Sequence, residues 1–79
     1  MSYINKYYNA FVVTPDNAND LPNGPLTALR VGVAGNVAVD IVNGATNVVI
    51  PCSPNQDTFM PIKRIRATGT TATGIVAFY

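Results

Sequence analysis

The chain has 79 residues, 48% of them hydrophobic and only 11% charged, with a net charge of +1, one cysteine and neither His nor Glu. That length supports one small domain, which buries only about 60% of the surface its unfolded chain exposes. The charge argues against polyanion binding as the main task, the lone Cys52 excludes an intrachain disulfide, and the missing His and Glu remove the usual zinc and acidic calcium sites.

No cofactor or metal is therefore expected, and association is the remaining route to stability for so small and apolar a chain. We expect a homo-oligomer, or a subunit docked on something larger. No apolar run approaches the ~20 residues needed to span a bilayer. Residues 1–8 lack the basic-then-apolar layout of a signal peptide, which predicts synthesis and assembly in the cytoplasm.

Apolar residues alternate along the chain, with Val, Ile, Thr and Tyr in the runs and Gly, Pro and Asn between them. This pattern predicts strands over 10–14, 28–33, 37–42, 45–50, 62–67 and 74–79. The predicted fold is all-β: a small single-domain β-sandwich or partly open barrel of about six strands. Residues 1–25 form an extended N-terminal arm and linker, and 26–79 form the β body.

The arm carries Tyr3, Tyr7, Tyr8 and Phe11, apolar rings that in the tyrosines end in a polar tip and that suit an interface. Packing on their own subunit is the alternative. The linker over 14–25 is rich in Pro, Asn and Gly, so Asp16 and Asp20 are expected to cap turns, with a weak metal site as the lesser reading.

The middle of the chain predicts a three-stranded meander. A three-residue loop at Ala34-Gly35-Asn36, with Asn36 left-handed, sets Val33 opposite Val37, Val31 opposite Val39 and Leu29 opposite Ile41. Arg30 then falls opposite Asp40, an expected ion pair. The Asn43-Gly44 turn sets Val39 opposite Val48, Val37 opposite Ile50 and Asp40 opposite Asn47.

Three prolines over 51–61 predict a crossing loop, with Asp57 solvated. Cys52, without a His to activate it, reads as a spectator thiol. The strands 62–67 and 74–79 are expected to form a second hairpin around 68–73. Ile62 and Ile65 fall on opposite faces of a regular strand, which predicts a bulge or burial on both faces. Arg64 and Arg66 share a side, and two cations favour an intersubunit or other protein-interface role over nucleic-acid binding. Four aspartates without His or Glu offer little for proton transfer, so no enzyme activity is expected.

Four motifs fit a known pattern: Asp20-Leu21-Pro22; the Val-Gly-x-Ala-Gly-Asn run at 31–36; Pro61-Ile62 leading into a basic strand; and Ala67-Thr68-Gly69-Thr70-Thr71-Ala72. Over roughly Phe11 to Tyr79 the chain resembles short β-proteins of the heads of tailed bacteriophages and gene transfer agents, which serve as spike-base or capsid-decoration subunits. The N-terminal arm through Ala10 matches no pattern of that group.

The resemblance implies a virion component on the phage head surface, without catalytic residues. It leads us to expect a capsid-decoration (cement) subunit, a homotrimer that binds the major capsid protein and bridges capsomers. Interface roles are expected for Tyr3, Tyr7, Tyr8, Phe11, Arg64, Arg66, Phe78 and Tyr79. The last two are expected near the trimer centre or along a subunit edge. The base of a head spike or fibre is the structural alternative, and a glycan-binding module is the alternative of another class.

Overall fold

The computed structural model describes residues 9–22, 24–54 and 56–79. Its described residues form an all-β fold with six strands: β1 (Ala10–Val12), β2 (Leu26–Arg30), β3 (Gly35–Ile41), β4 (Val48–Cys52), β5 (Thr58–Arg66) and β6 (Val76–Phe78). Each overlaps a stretch where alternation predicts a strand. All six join one antiparallel sheet in the order β1-β6-β2-β5-β3-β4, which leaves β1 and β4 as its edges. One face gathers a single apolar cluster from Leu26, Leu29, Val31, Val37, Val39, Ile62, Ile65, Ile75 and their neighbours. The fold is thus all-β as expected, with its six strands in one open sheet.

Half of the expected meander is present. β3 pairs with β4 in the predicted register, Val37 against Ile50 and Val39 against Val48. The turn is wider than two residues: Ile41 N–H donates to Ala45 C=O and Val42 N–H to Pro61 C=O. Asn47, left-handed at φ 54°, closes it, as short polar side chains tolerate that region. Asn36 is instead an ordinary residue of β3.

The expected pairing of β2 with β3 does not occur, because β5 lies between them. The second expected hairpin is also absent, since β6 lies between β1 and β2. The cause lies in β3, which is buried on both faces: Val37 and Val39 on one, Ala38 and Asp40 on the other. A buried carboxylate needs cations and donors beside it. β5 brings two arginines to that face, with Arg64 opposite Asp40 and Arg66 opposite Ala38. β2 could bring only Arg30. Val33, expected opposite Val37, is exposed and bridges to Thr73.

β5 bends to serve both neighbours. Against β3 the register slips between Asp40–Arg64 and Ile41–Ile62, so Lys63 is an extra residue. That bulge explains how Ile62 and Ile65 both reach the core, the irregularity their spacing predicts. Against β2 a second slip falls between Phe59 and Ile62. Pro61 sits in that slip, where a missing N–H does not break the ladder. Pro51 likewise lies in β4, an edge strand. The expected crossing loop over 51–61 thus loses residues 51–52 to β4 and 58–61 to β5.

The Gly/Thr segment after β5 folds back over the start of β3. Asn36 C=O accepts from Thr71 N–H at 2.8 Å and from Ala72 N–H at 3.1 Å. The Thr71 hydroxyl accepts from Asn36 N–H at 2.8 Å, and the Thr70 hydroxyl accepts from Ala38 N–H at 3.0 Å. This crossing leaves no room at Gly35, where a Cβ would lie 2.6 Å from Ala72 N and 2.8 Å from Ala72 Cα. Backbone cannot swing aside as a flexible side chain can. Gly35→Ala is expected to destabilise the fold by about 1–3 kcal/mol, read as a lower denaturation midpoint. Gly44→Ala, where a Cβ meets nothing within 4 Å, should change it little.

Candidate docking face

The face of the sheet opposite the apolar cluster divides into two parts. Over β3 and β5 it is charged and internally paired. Asp40 is buried and accepts a two-pronged bond from Arg66, Nε to Oδ1 at 2.8 Å and the second guanidinium nitrogen to Oδ2 at 3.0 Å. Asn47 N–H adds a bond to Oδ1 at 2.8 Å, and Arg64 lies 3.8 Å from Oδ2. Such forked, charge-assisted bonds are the strong kind. The Arg66 bond, then the Asn47 amide, outweigh burial and hold the Asp40 carboxyl down at about 2.

Arg64 turns its other side to the linker, where Nε bonds Asp20 at 2.9 Å. The linker itself lies along β5 beyond the start of β2. Leu21 N–H donates to Lys63 C=O and Asp16 N–H to Ile65 C=O, each at 2.8 Å. Asp16 closes a local turn as its spacing predicts, accepting from Ala18 N–H and from the Asn19 side chain. Those bonds, with the Asn19 side chain first, lower its pKa. Asp20 serves Arg64 rather than a turn. Asn17 reaches further, exchanging two bonds with Thr68 at 3.0 Å each.

Over β5, β2, β6 and β1 the same face is apolar. Register places Phe59, Ala28, Phe78 and Ala10 in one row across four strands, with Arg30, Val76 and Val12 in the next. Val12 is 81% exposed and Phe59 53%. Arg30 pairs with Asp57 at 2.6 Å and sets its guanidinium 5.6 Å from the Phe78 ring centre. The expected Arg30–Asp40 pair is thus replaced by Arg30–Asp57, and Asp57 is paired rather than solvated. Arg30 caps one end of the row and leaves Phe59 and Val12 open.

The expected interface residues are scattered over these surfaces. Phe78 lies in the apolar row. Phe11 and Tyr79 lie on the core side at the β1 edge, in edge-to-face contact with ring centres 5.6 Å apart. Burial pushes the Tyr79 phenol up. They border a cavity of about 370 Å³ walled also by Val13, Leu21 and Ile65, with Asp16, Asn19 and Asp20 along its lining. Arg64 and Arg66 are engaged with Asp20 and Asp40. Tyr3, Tyr7 and Tyr8 lie outside the described residues.

Val12 and Phe59 are two exposed apolar residues that sequence reasoning misses. Phe59 sits among prolines and reads as loop, and Val12 reads as one more alternating strand residue. Cys52 is buried, with Sγ 3.6 Å from Ile50 C=O and 3.7 Å from Thr58 Oγ1. Among the described residues no three His, Cys, Asp or Glu side chains gather as a metal site, and no helix is long and apolar enough to cross a membrane. No protein-family model, curated protein or solved structure matches the chain.

The Asp40 fork makes stability pH-dependent. Its folded pKa, about 2, lies below the ordinary 3.8, so its stabilisation is fully present above pH 3.8 and fades as pH falls through about 2. The difference corresponds to about 2 kcal/mol. Denaturation midpoints of the wild type and Asp40→Asn, measured from pH 6 to pH 2, should converge toward the acid end. A constant gap across the series would remove the carboxylate as the cause.

Proposed function

We propose that the chain is a virion structural subunit of the capsid-decoration kind. In this reading copies associate with one another and bind the major capsid protein through the apolar half of the sheet's outer face, bridging neighbouring capsomers. The observation that carries it is the division of that face. Its charges pair within the chain, whereas Val12 and Phe59 stand exposed on it among the described residues. The motif resemblance to phage-head β-proteins supplies the choice of partner.

The mechanism is mechanical. A subunit that binds only the assembled shell stabilises that shell by mass action. The side chains support a non-enzymatic role: a buried thiol, three aspartates in salt bridges with arginines and a fourth closing a turn. Tyr3, Tyr7 and Tyr8 of the arm are proposed as further contacts with the shell or with the next copy.

The test is sedimentation of purified protein with head particles that lack it. Phe59→Lys places a charge in the apolar row, and binding is expected to fall at least tenfold, while Thr46→Lys, in the turn before β4, should bind as the wild type does. Undiminished binding of Phe59→Lys would remove the apolar row from the interface. Tens of copies per particle, rather than hundreds, would favour the base of a head spike.

The cavity beside β1 favours a second reading. An aromatic pair, Phe11 and Tyr79, stands with the amide and carboxylate side chains of Asn19, Asp16 and Asp20 around one space. Rings to stack on and acceptors for hydroxyls suit a glycan. Binding of host polysaccharide by the isolated protein, lost in Tyr79→Ala, would support it.

A further inference from the structure

We propose that β1 is the contact between two copies of this chain, paired antiparallel about Val12 so that two six-stranded sheets become one. This pairing rests on the self-association in the proposed function but not on the capsid as partner.

The first observation is where the peptide groups of β1 point. Tyr79 N–H donates to Asn9 C=O, and Val13 N–H donates to Ile75 C=O, each at 2.9 Å. Residues 9, 11 and 13 therefore face β6, and in an antiparallel ladder the alternate residues face away. Ala10 N–H is satisfied by its neighbour, the Asn9 side chain, at 3.0 Å. Ala10 C=O and both peptide groups of Val12 are left directed off the sheet edge.

The second observation is the contrast between the two edges. Natural sheets protect an edge with proline, charge or a bulge. β4 carries Pro51, which has no N–H to offer a new strand. β1 reads Ala-Phe-Val, with no charge, no proline and no register slip against β6. Among the described residues one edge is guarded and the other is open.

The third observation is self-complementarity. Pairing centred on Val12 forms two reciprocal Val12–Val12 bonds and sets Thr14 N–H of each copy against Ala10 C=O of the other. Pro15 then ends the ladder. The highly exposed Val12 side chains meet across the axis, and the outer apolar rows of the copies run together into one surface. A contact of this kind uses the same patch twice and closes at two copies. It favours a dimer over the trimer expected from the sequence.

Light scattering and native mass spectrometry of the full chain test this without any particle. The wild type is expected at twice the chain mass, dissociating on dilution because the paired edge is short. Val12→Pro removes the outward N–H and spares every bond to β6, and Val12→Lys adds charges that repel across the axis. Both are expected to be monomers with the wild-type circular dichroism, while Val49→Lys on β4 remains a dimer. Should Val12→Pro fail to fold, Val12→Lys carries the test. A wild-type monomer throughout the concentration series, a trimer, or a dimer that survives Val12→Lys would each overturn the proposal. Particle binding by a monomeric wild type would overturn it, and the self-association with it, while leaving the capsid-binding part of the proposed function standing.

Discussion

A buried carboxylate in the middle of a strand constrains most of this fold. Asp40 cannot stay charged and dry without cations on its own face of the sheet. Arg66 supplies a two-pronged bond, Arg64 a second positive charge and Asn47 an amide. Meeting that demand places β5 beside β3 and displaces β2 to the far side of β5. The strand order follows from one side chain's need for partners.

β5 accommodates this position by breaking regularity twice. The Lys63 bulge rotates the strand so that Ile62 and Ile65 fill the core while Arg64 and Arg66 face Asp40. The slip near Pro61 absorbs a residue that could not sit in a regular central strand. The threonines after β5 then supply hydroxyls to the amides of β3, which gives the Gly/Thr segment a structural purpose. These devices satisfy the charged half of the outer face from within. Among the described residues the apolar half leaves Val12 and Phe59 exposed, and the β1 edge adjoins it, so both proposed contacts fall on the same side of the molecule.

Much of the fold is legible in the sequence. Alternation locates all six strands, and the Asn43-Gly44 signal gives the β3–β4 register even though the turn proves wider. The Ile62–Ile65 spacing alone signals that β5 is irregular. The strand order is not legible, because Asp40 has two plausible suitors: Arg30, near in a hairpin, and Arg66, distant in sequence. Local pairing makes Arg30 the natural choice, and only burial of both faces of β3 decides for Arg66. Val12 and Phe59 are hidden from a sequence reading because exposure depends on which strands lie beside them. The aromatic arm stands out instead, through composition alone.

If the Asp40–Arg66 fork selects the strand order, the two residues must depend strongly on each other, and a double-mutant cycle measures that dependence. Unfolding free energies of the wild type, Asp40→Ala, Arg66→Ala and the double variant are measured by denaturant titration near neutral pH. Strong coupling is predicted, about 2 kcal/mol or more, with the double variant far less destabilised than the sum of the singles. Single effects that add to within about 0.5 kcal/mol would contradict it, and would mean that the apolar packing of β3 against β5 orders the sheet unaided.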